Sequence, residues 1–430
     1  MKESTVKRNQ LLAIGIILVL VGRGVYPHSS IPNSTLPTAA GAQSSSVLSM
    51  ASGLPSVTSA SPTDRETSST AALKQITDEA KPALTGVFGD YSAEAQKKLT
   101  TMTLKERVGQ VFLFRCPVPD ALETVREYQP GGYFLMAANF EGKTKPQVQN
   151  MLRSFQNASS TKMVLGCDEE GGTVVRVSKY SALAKSPFQS PQQVFRRFGM
   201  DGIYSDTVKK VQLLQELGLN LNLAPVCDVS TDASDFMYKR SFGQNAKKTA
   251  SFVETSVKAY SSLRFSCTLK HFPGYGNNAD THTGIAYDKR GYSTFKDADF
   301  LPFQAGIQAG APCVMVSHNV VSSMDAKNPA SLSPKVHDIL RKELGFTGII
   351  MTDDLSMDAI TDFTGGKNPS TAAFTAGNDM LLSTNIAEDF NALDTAVQNR
   401  GILSKGRTKV CFESSHGNIR WELFDTIKKE

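Results

Sequence analysis

From about residue 95 onward, short apolar runs alternate with longer amphipathic stretches. Eight runs are strand-like: Val108 to Phe114, Gly132 to Ala137, Met163 to Cys167, Leu219 to Val226, Ser266 to Leu269, Pro312 to Ser317, Gly348 to Thr352 and Asp379 to Leu382. Most are short, apolar and bounded by Gly, Pro or polar residues, as expected of parallel strands buried on both faces. Helical stretches such as Ser251 to Leu263 and Pro334 to Glu343 fill several of the intervals. Strand–helix alternation repeated eight times predicts an α/β fold, a single (β/α)8 TIM-type barrel, with a doubly wound open sheet as the structural alternative. In such a barrel the functional rim lies at the C-terminal ends of the strands. Five of the runs end there in polar groups: Asp168-Glu169-Glu170, Asp228, Lys270-His271, Ser317-His318-Asn319 and Asp353-Asp354. One polar pocket is the expected result.

The N-terminus follows a different pattern. Lys2, Lys7 and Arg8 precede an apolar run from Leu11 to Val21 that only Gly15 interrupts, the layout of a signal sequence. The run is short for a membrane span, which needs about 20 residues, so residues 1–27 are expected to be a cleaved signal or an anchor contacting the membrane. Residues 28–75 are rich in Ser, Thr, Pro and Ala and bury too little apolar surface to offset chain entropy, so a flexible linker is expected. Residues 76–430 remain for the barrel. Composition adds little. Of 430 residues, 40% are hydrophobic and 20% charged, which suits a globular core, and a net charge of +5 with scattered Lys and Arg shows no nucleic-acid stripe. The six cysteines have no CxxC spacing, and several lie in strand-like runs, so they read as small buried hydrophobes rather than a disulfide framework.

Three segments carry candidate chemistry. Lys270-His271-Phe272-Pro273-Gly274-Tyr275-Gly276, running on to Asp280-Thr281-His282, reads as a sharp loop after a strand. Asp280 and His282, two apart, can pair so that the carboxylate fixes the imidazole tautomer and the ring serves as general acid and then base. Spacing alone leaves a metal-ligand pair or a loop-stabilising hydrogen bond equally open. Met351-Thr352-Asp353-Asp354-Leu355-Ser356-Met357 places two carboxylates after an apolar strand, where side-chain alternation lets one face the barrel mouth. A carboxylate there suits a glycosidase nucleophile, and Asp354 equally suits helix capping. Asp168-Glu169-Glu170-Gly171-Gly172-Thr173-Val174-Val175-Arg176 offers an Asp and an Arg that either grip sugar hydroxyls or form a structural ion pair.

Together these segments resemble glycoside hydrolase family 3, in particular its β-N-acetylglucosaminidase (β-hexosaminidase) branch. Thr103 to Gln110 resembles the entry to the first strand, and Asp168 to Arg176 the D-x-E-G-G-x-V-x-R motif. Asn222 to Val229, Arg240 to Gly243, Lys270 to Gly274, Asp280/His282, Thr352 to Met357 and Ala376 to Leu382 resemble further family blocks, in order, over about residues 95 to 395. The resemblance implies Asp353 as nucleophile, His282 as acid/base with Asp280 orienting it, and Asp168, Arg176, Arg240, Lys270 and His271 binding the non-reducing sugar. It implies a retaining exo-glycosidase with no metal or cofactor. The implied substrate is a β-N-acetylglucosamine-terminated oligosaccharide or muropeptide, from peptidoglycan fragments. The enzyme is expected to act as a monomer, outside a bacterial cell or on the outer face of its cytoplasmic membrane.

Tyr275 stands where many relatives place a second His. The stretch from Lys405 to Asn418 lacks the smooth amphipathic helix expected to close the barrel, with helix expected to resume at Ile419-Arg420-Trp421. Three other readings stay open: a phosphorylase variant in which phosphate replaces water, a metal-dependent barrel hydrolase using His271, His282, His318 and Asp353, and a catalytically silent wall-binding protein.

Overall fold

The computed structural model describes residues 87–278, 281, 284–399, 407–413 and 419–425. The expected signal or anchor (1–27) and linker (28–75) lie outside the described residues, as do Asp280 and His282. Among the described residues no helix is long and apolar enough to cross a membrane.

All eight predicted strands form, within one sheet: β1 (Phe112–Arg115), β2 (Gly132–Phe134), β3 (Val164–Cys167), β4 (Leu221–Asn222), β5 (Ser266–Phe272), β6 (Cys313–Val316), β7 (Ile349–Thr352) and β8 (Leu381–Ser383). Every neighbouring pair is parallel, in the order β8-β1-β2-β3-β4-β5-β6-β7. A parallel bridge between Met351 and Met380 joins the two end strands, so the sheet curls into a nearly closed barrel rather than an open one.

The side chains follow the two-residue period of a strand. Leu113, Phe134, Val164, Cys313, Met315, Ile349, Met351 and Leu382 pack in one buried cluster, the barrel interior, together with Phe88. Their neighbours Phe112, Phe114, Tyr133, Leu165, Val314, Ile350 and Leu381 belong to a second cluster, against the helices. This parity reaches past the strand ends. Counting in twos from the interior residues gives Arg115 on β1, Asp168 on β3 and Asp353 on β7, and all three line the cavity at the strands' C-terminal ends.

Two expectations change. Val108, Gly109 and Gln110 are the last turn of a helix (Leu104–Gln110), not the start of β1. Thr103 caps this helix: its hydroxyl accepts the Glu106 N–H (3.2 Å), and the Glu106 carboxylate accepts the Thr103 N–H (2.8 Å). That reciprocal pair starts a helix ahead of the apolar run. At the other end, the helix following β8 is Ile386–Gln398, and no helix resumes at Ile419. Arg407–Glu413 (β9) and Ile419–Asp425 (β10) instead pair as an antiparallel ladder, with Cys411 opposite Trp421. The alternation of Ile419, Trp421 and Leu423 with Arg420 and Glu422 is a strand pattern.

Five cysteines (Cys116, Cys167, Cys227, Cys267 and Cys313) are free and buried, as their apolar context implied.

Candidate active site

A cavity of about 500 Å³ opens at the C-terminal ends of the strands. Six of the eight residues singled out in the sequence line it: Asp168, Arg176, Arg240, Lys270, His271 and Asp353. Asp280 and His282 fall outside the described residues.

The floor is a network of opposite charges. Lys270, only 2% exposed, donates from Nζ to Asp168 Oδ1 (2.7 Å) and sits 2.7 Å from Glu170 Oε1. Arg240 grips Glu170 with two donors, Nε to Oε2 (3.1 Å) and Nη2 to Oε1 (2.7 Å). Arg176 Nη2 donates to Asp168 Oδ2 (3.0 Å). Burying five charges is tolerable only because each finds an opposite partner. Burial pushes the Glu170 carboxyl up, but the Arg240 and Lys270 charges outweigh it and hold the group well below the usual carboxylate range. Burial likewise works against the Lys270 ammonium, and Asp168 and Glu170 reverse this and raise it.

Glu169 has a different task. Fully buried, it accepts the backbone N–H groups of Arg176 (3.0 Å) and Val177 (2.8 Å) and the hydroxyl of Ser178. It therefore folds the Gly171–Arg176 turn back over β3 and sets Arg176 above Asp168. The Arg176 Nε is buried and makes no hydrogen bond within the protein.

His271 is fixed from behind. Its Nδ1 lies 2.8 Å from Asp228 Oδ2, and its Nε2 lies 3.4 Å from Arg240 Nη2. A cationic donor on Nε2 and a carboxylate on Nδ1 assign the Nδ1–H tautomer. The Lys270–His271 peptide is cis, the ladder slips between Leu269 and Phe272, and both side chains line the cavity.

The two carboxylates after β7 are not equivalent. Asp354 Oδ1 accepts the Ser356 N–H (3.0 Å) and hydroxyl (2.8 Å), and its Oδ2 accepts the Thr384 hydroxyl (2.6 Å). That carboxylate closes a turn and ties it to the end of β8. Asp353 follows the inward parity of Ile349 and Met351, and its Oδ1 accepts the Asp354 N–H (2.9 Å). A carboxylate on the cavity wall, facing a floor of charged donors, suits attack on a ring held by those donors.

The fold and the motif spacing agree with a wider likeness. Residues 103–409 match the model of the glycosyl hydrolase family 3 N-terminal domain. The chain belongs to glycosyl hydrolase family 3. It is therefore a glycoside hydrolase, and the relatives place it in the β-hexosaminidase group. It is 31% identical over 313 residues to a β-hexosaminidase of Stenotrophomonas maltophilia (strain R551-3), covering 69% of this chain and 91% of that one. A β-hexosaminidase of Xanthomonas campestris pv. campestris (strain B100) is 32% identical over 282 residues, covering 63% and 83%. Among solved structures, a family 3 β-N-acetylglucosaminidase from Paenibacillus sp. str. FPU-7 superposes with a TM-score of 0.64 at 26% identity. That match covers 70% of this chain and 59% of the Paenibacillus enzyme. The β-N-acetylhexosaminidase of Beutenbergia cavernae DSM 12333 gives 0.60 at 25% identity, covering 69% and 93%.

Glu170 and Asp228 are visible in the sequence only as strand-end groups with no assigned role, although both sit in the matched blocks. The signal was there in part, since each ends a strand run.

Proposed function

We propose that this family 3 enzyme is a retaining exo-β-N-acetylglucosaminidase acting on peptidoglycan fragments. The observation that carries the reading is Asp353 on the inner parity of β7, lining one cavity with Asp168, Lys270 and Arg240, whose two cations Glu170 ties together. In this reading Asp168, Arg176, Arg240, Lys270 and His271 hold the hydroxyls of the terminal sugar. His282, oriented by Asp280, protonates the leaving oxygen while Asp353 attacks C1 and forms a glycosyl ester. His282, having lost its proton, then takes one from water, which adds to C1 and releases Asp353. The names of the Stenotrophomonas and Paenibacillus relatives support the sugar. The basic residues and apolar run of residues 2–21 support delivery to the outer face of the cytoplasmic membrane or beyond.

The test compares p-nitrophenyl β-N-acetylglucosaminide with p-nitrophenyl β-glucoside, using the parent chain and Asp353→Ala. The expected result is turnover of the first glycoside only, reduced at least about 10³-fold in the variant. Turnover of the glucoside, or an unaffected variant, overturns the reading.

A further inference from the structure

Among the described residues, the Lys and Arg side chains that line the cavity are Arg115, Arg176, Arg240 and Lys270. The last three belong to the floor network, where Asp168 and Glu170 hold them. Arg115 stands apart. It makes no hydrogen bond or ion pair among the described residues. Strand parity explains its place. Leu113 packs in the barrel interior, so Arg115, two residues on, points the same way, and the next strand sets Phe134 beside it. Phe112, Leu113 and Phe114 are buried and Arg115 is exposed, so the guanidinium emerges where β1 runs out into the cavity. In the sheet order β1 lies four strands from β5 in either direction round the barrel. Lys270 and His271, which β5 carries, therefore stand on the opposite wall.

The surroundings of Arg115 suit an anion held in one orientation. Phe134, Met136 and Leu382 line the cavity from β2 and β8, the strands on either side of β1, or just beyond them. An apolar wall strengthens the field of a charge beside it. The cavity acids outside the floor, Asp353, Asp354 and Asp358, all follow β7. Asp354 is engaged by Ser356 and Thr384, and none of the three pairs with Arg115. A negative group entering the cavity is thus repelled on the β7 side and attracted on the β1 side. A guanidinium presents its donors as a planar fork that matches a carboxylate, and it is more weakly hydrated than an ammonium.

We infer that Arg115 is a specificity-determining residue, the seat for a carboxylate carried on the leaving part of the substrate. The inference rests on the reading proposed above and narrows it to acidic aglycones. The terminal sugar in that reading is neutral and its hydroxyls belong to the floor, so a carboxylate that reaches Arg115 arrives with the aglycone.

The test uses the full chain and two glycosides that differ by one charge, 3-carboxy-4-nitrophenyl and 3-carbamoyl-4-nitrophenyl β-N-acetylglucosaminide. The readout is the ratio of their kcat/KM values within one preparation, which does not depend on the folded fraction. The parent is expected to favour the carboxylate by about 10-fold, the scale of a charge-assisted hydrogen-bonded pair. The preference should lie chiefly in KM and shrink at high salt. Arg115→Met is expected to bring the ratio to parity, and Arg115→Glu to reverse it. Arg115→Lys keeps the charge but loses the fork, and should fall between the parent and Arg115→Met. A ratio that stays at the parent value in both Arg115→Met and Arg115→Glu overturns the inference, and turnover of the carbamoyl glycoside in the same experiment leaves the proposed function standing. A parent that cleaves neither glycoside overturns the proposed function and the inference with it.

Discussion

At the scale of single residues, the site depends on which of three consecutive acids does what. Glu169 is occupied by backbone N–H groups, and Glu170 holds two cations. Glu170→Gln should therefore cost stability well beyond a surface change. It leaves Lys270 and Arg240 buried with too little negative charge, a loss of about 3–5 kcal/mol, read as a fall in the urea midpoint at pH 7. The pH dependence has a definite sign. The folded-state value of Glu170 lies below its unfolded value, so its contribution is present above the unfolded carboxylate range of about 4.3 and is lost as pH falls through the folded value. Lys270 is the reverse: its value is raised, so its contribution is full below about 10.4 and is lost as pH rises through the folded value. Melting curves from pH 3 to 7 should show a shallower acid limb in Glu170→Gln than in the parent; parallel curves would refute this assignment. The sequence made Asp168 and Asp353 visible because strand parity extends past the strand ends. It could not rank Asp168, Glu169 and Glu170 among themselves, because the division of labour depends on Arg240 and Lys270, 70 and 100 residues away. Asp228 was visible as a strand-end group but its role was not, for the same reason: its partners His271 and Tyr275 lie in β5 and just beyond it.

At the scale of elements, every barrel strand was legible, since each is a short apolar run closed by polar or turn residues. Their limits were not. Val108 to Gln110 continue the apolar run of β1, and only the reciprocal Thr103–Glu106 pair shows that the chain is still helical there. Thr103→Ala should lower stability by about 1 kcal/mol while kcat/KM on the β-N-acetylglucosaminide stays at the parent value, because the cap lies at the N-terminal end of the barrel's first unit. Thermal melting by circular dichroism measures the first, and initial rates the second. A Thr103→Ala protein as stable as the parent would mean that the cap is incidental. The C-terminal ladder was misjudged because a helix was expected to close the barrel there, although the two-residue alternation of Ile419, Trp421 and Leu423 is a strand pattern, and its partner (β9) is a separate segment of the chain.

At the scale of the molecule, the barrel interior is built from few side chains, and one of them comes from well before the first strand. Phe88 precedes the first helix yet packs in the interior cluster with Leu113, Met351 and Leu382. Phe88→Ala removes a large side chain from a site walled by strands that cannot collapse, so a loss of about 3–5 kcal/mol is expected. The chemistry lies at the opposite, C-terminal face, so activity per folded molecule should be unchanged. Measured together, a lower midpoint with a parent-like specific activity would support this, and a matched loss of both would place Phe88 closer to the site than its packing implies.

The buried cysteines have a practical consequence. Burial raises the thiols of Cys167, Cys227 and Cys267 well above the ordinary range, and that of Cys116 to about 12. A thiol both covered and protonated does not react with an alkylating reagent until its surroundings open. Cys313 in the barrel interior and Cys167 and Cys267 on its outer face are spread through the fold. The rate at which each becomes labelled therefore records the opening of its own layer, and the protein carries a set of internal clocks for unfolding without any introduced probe.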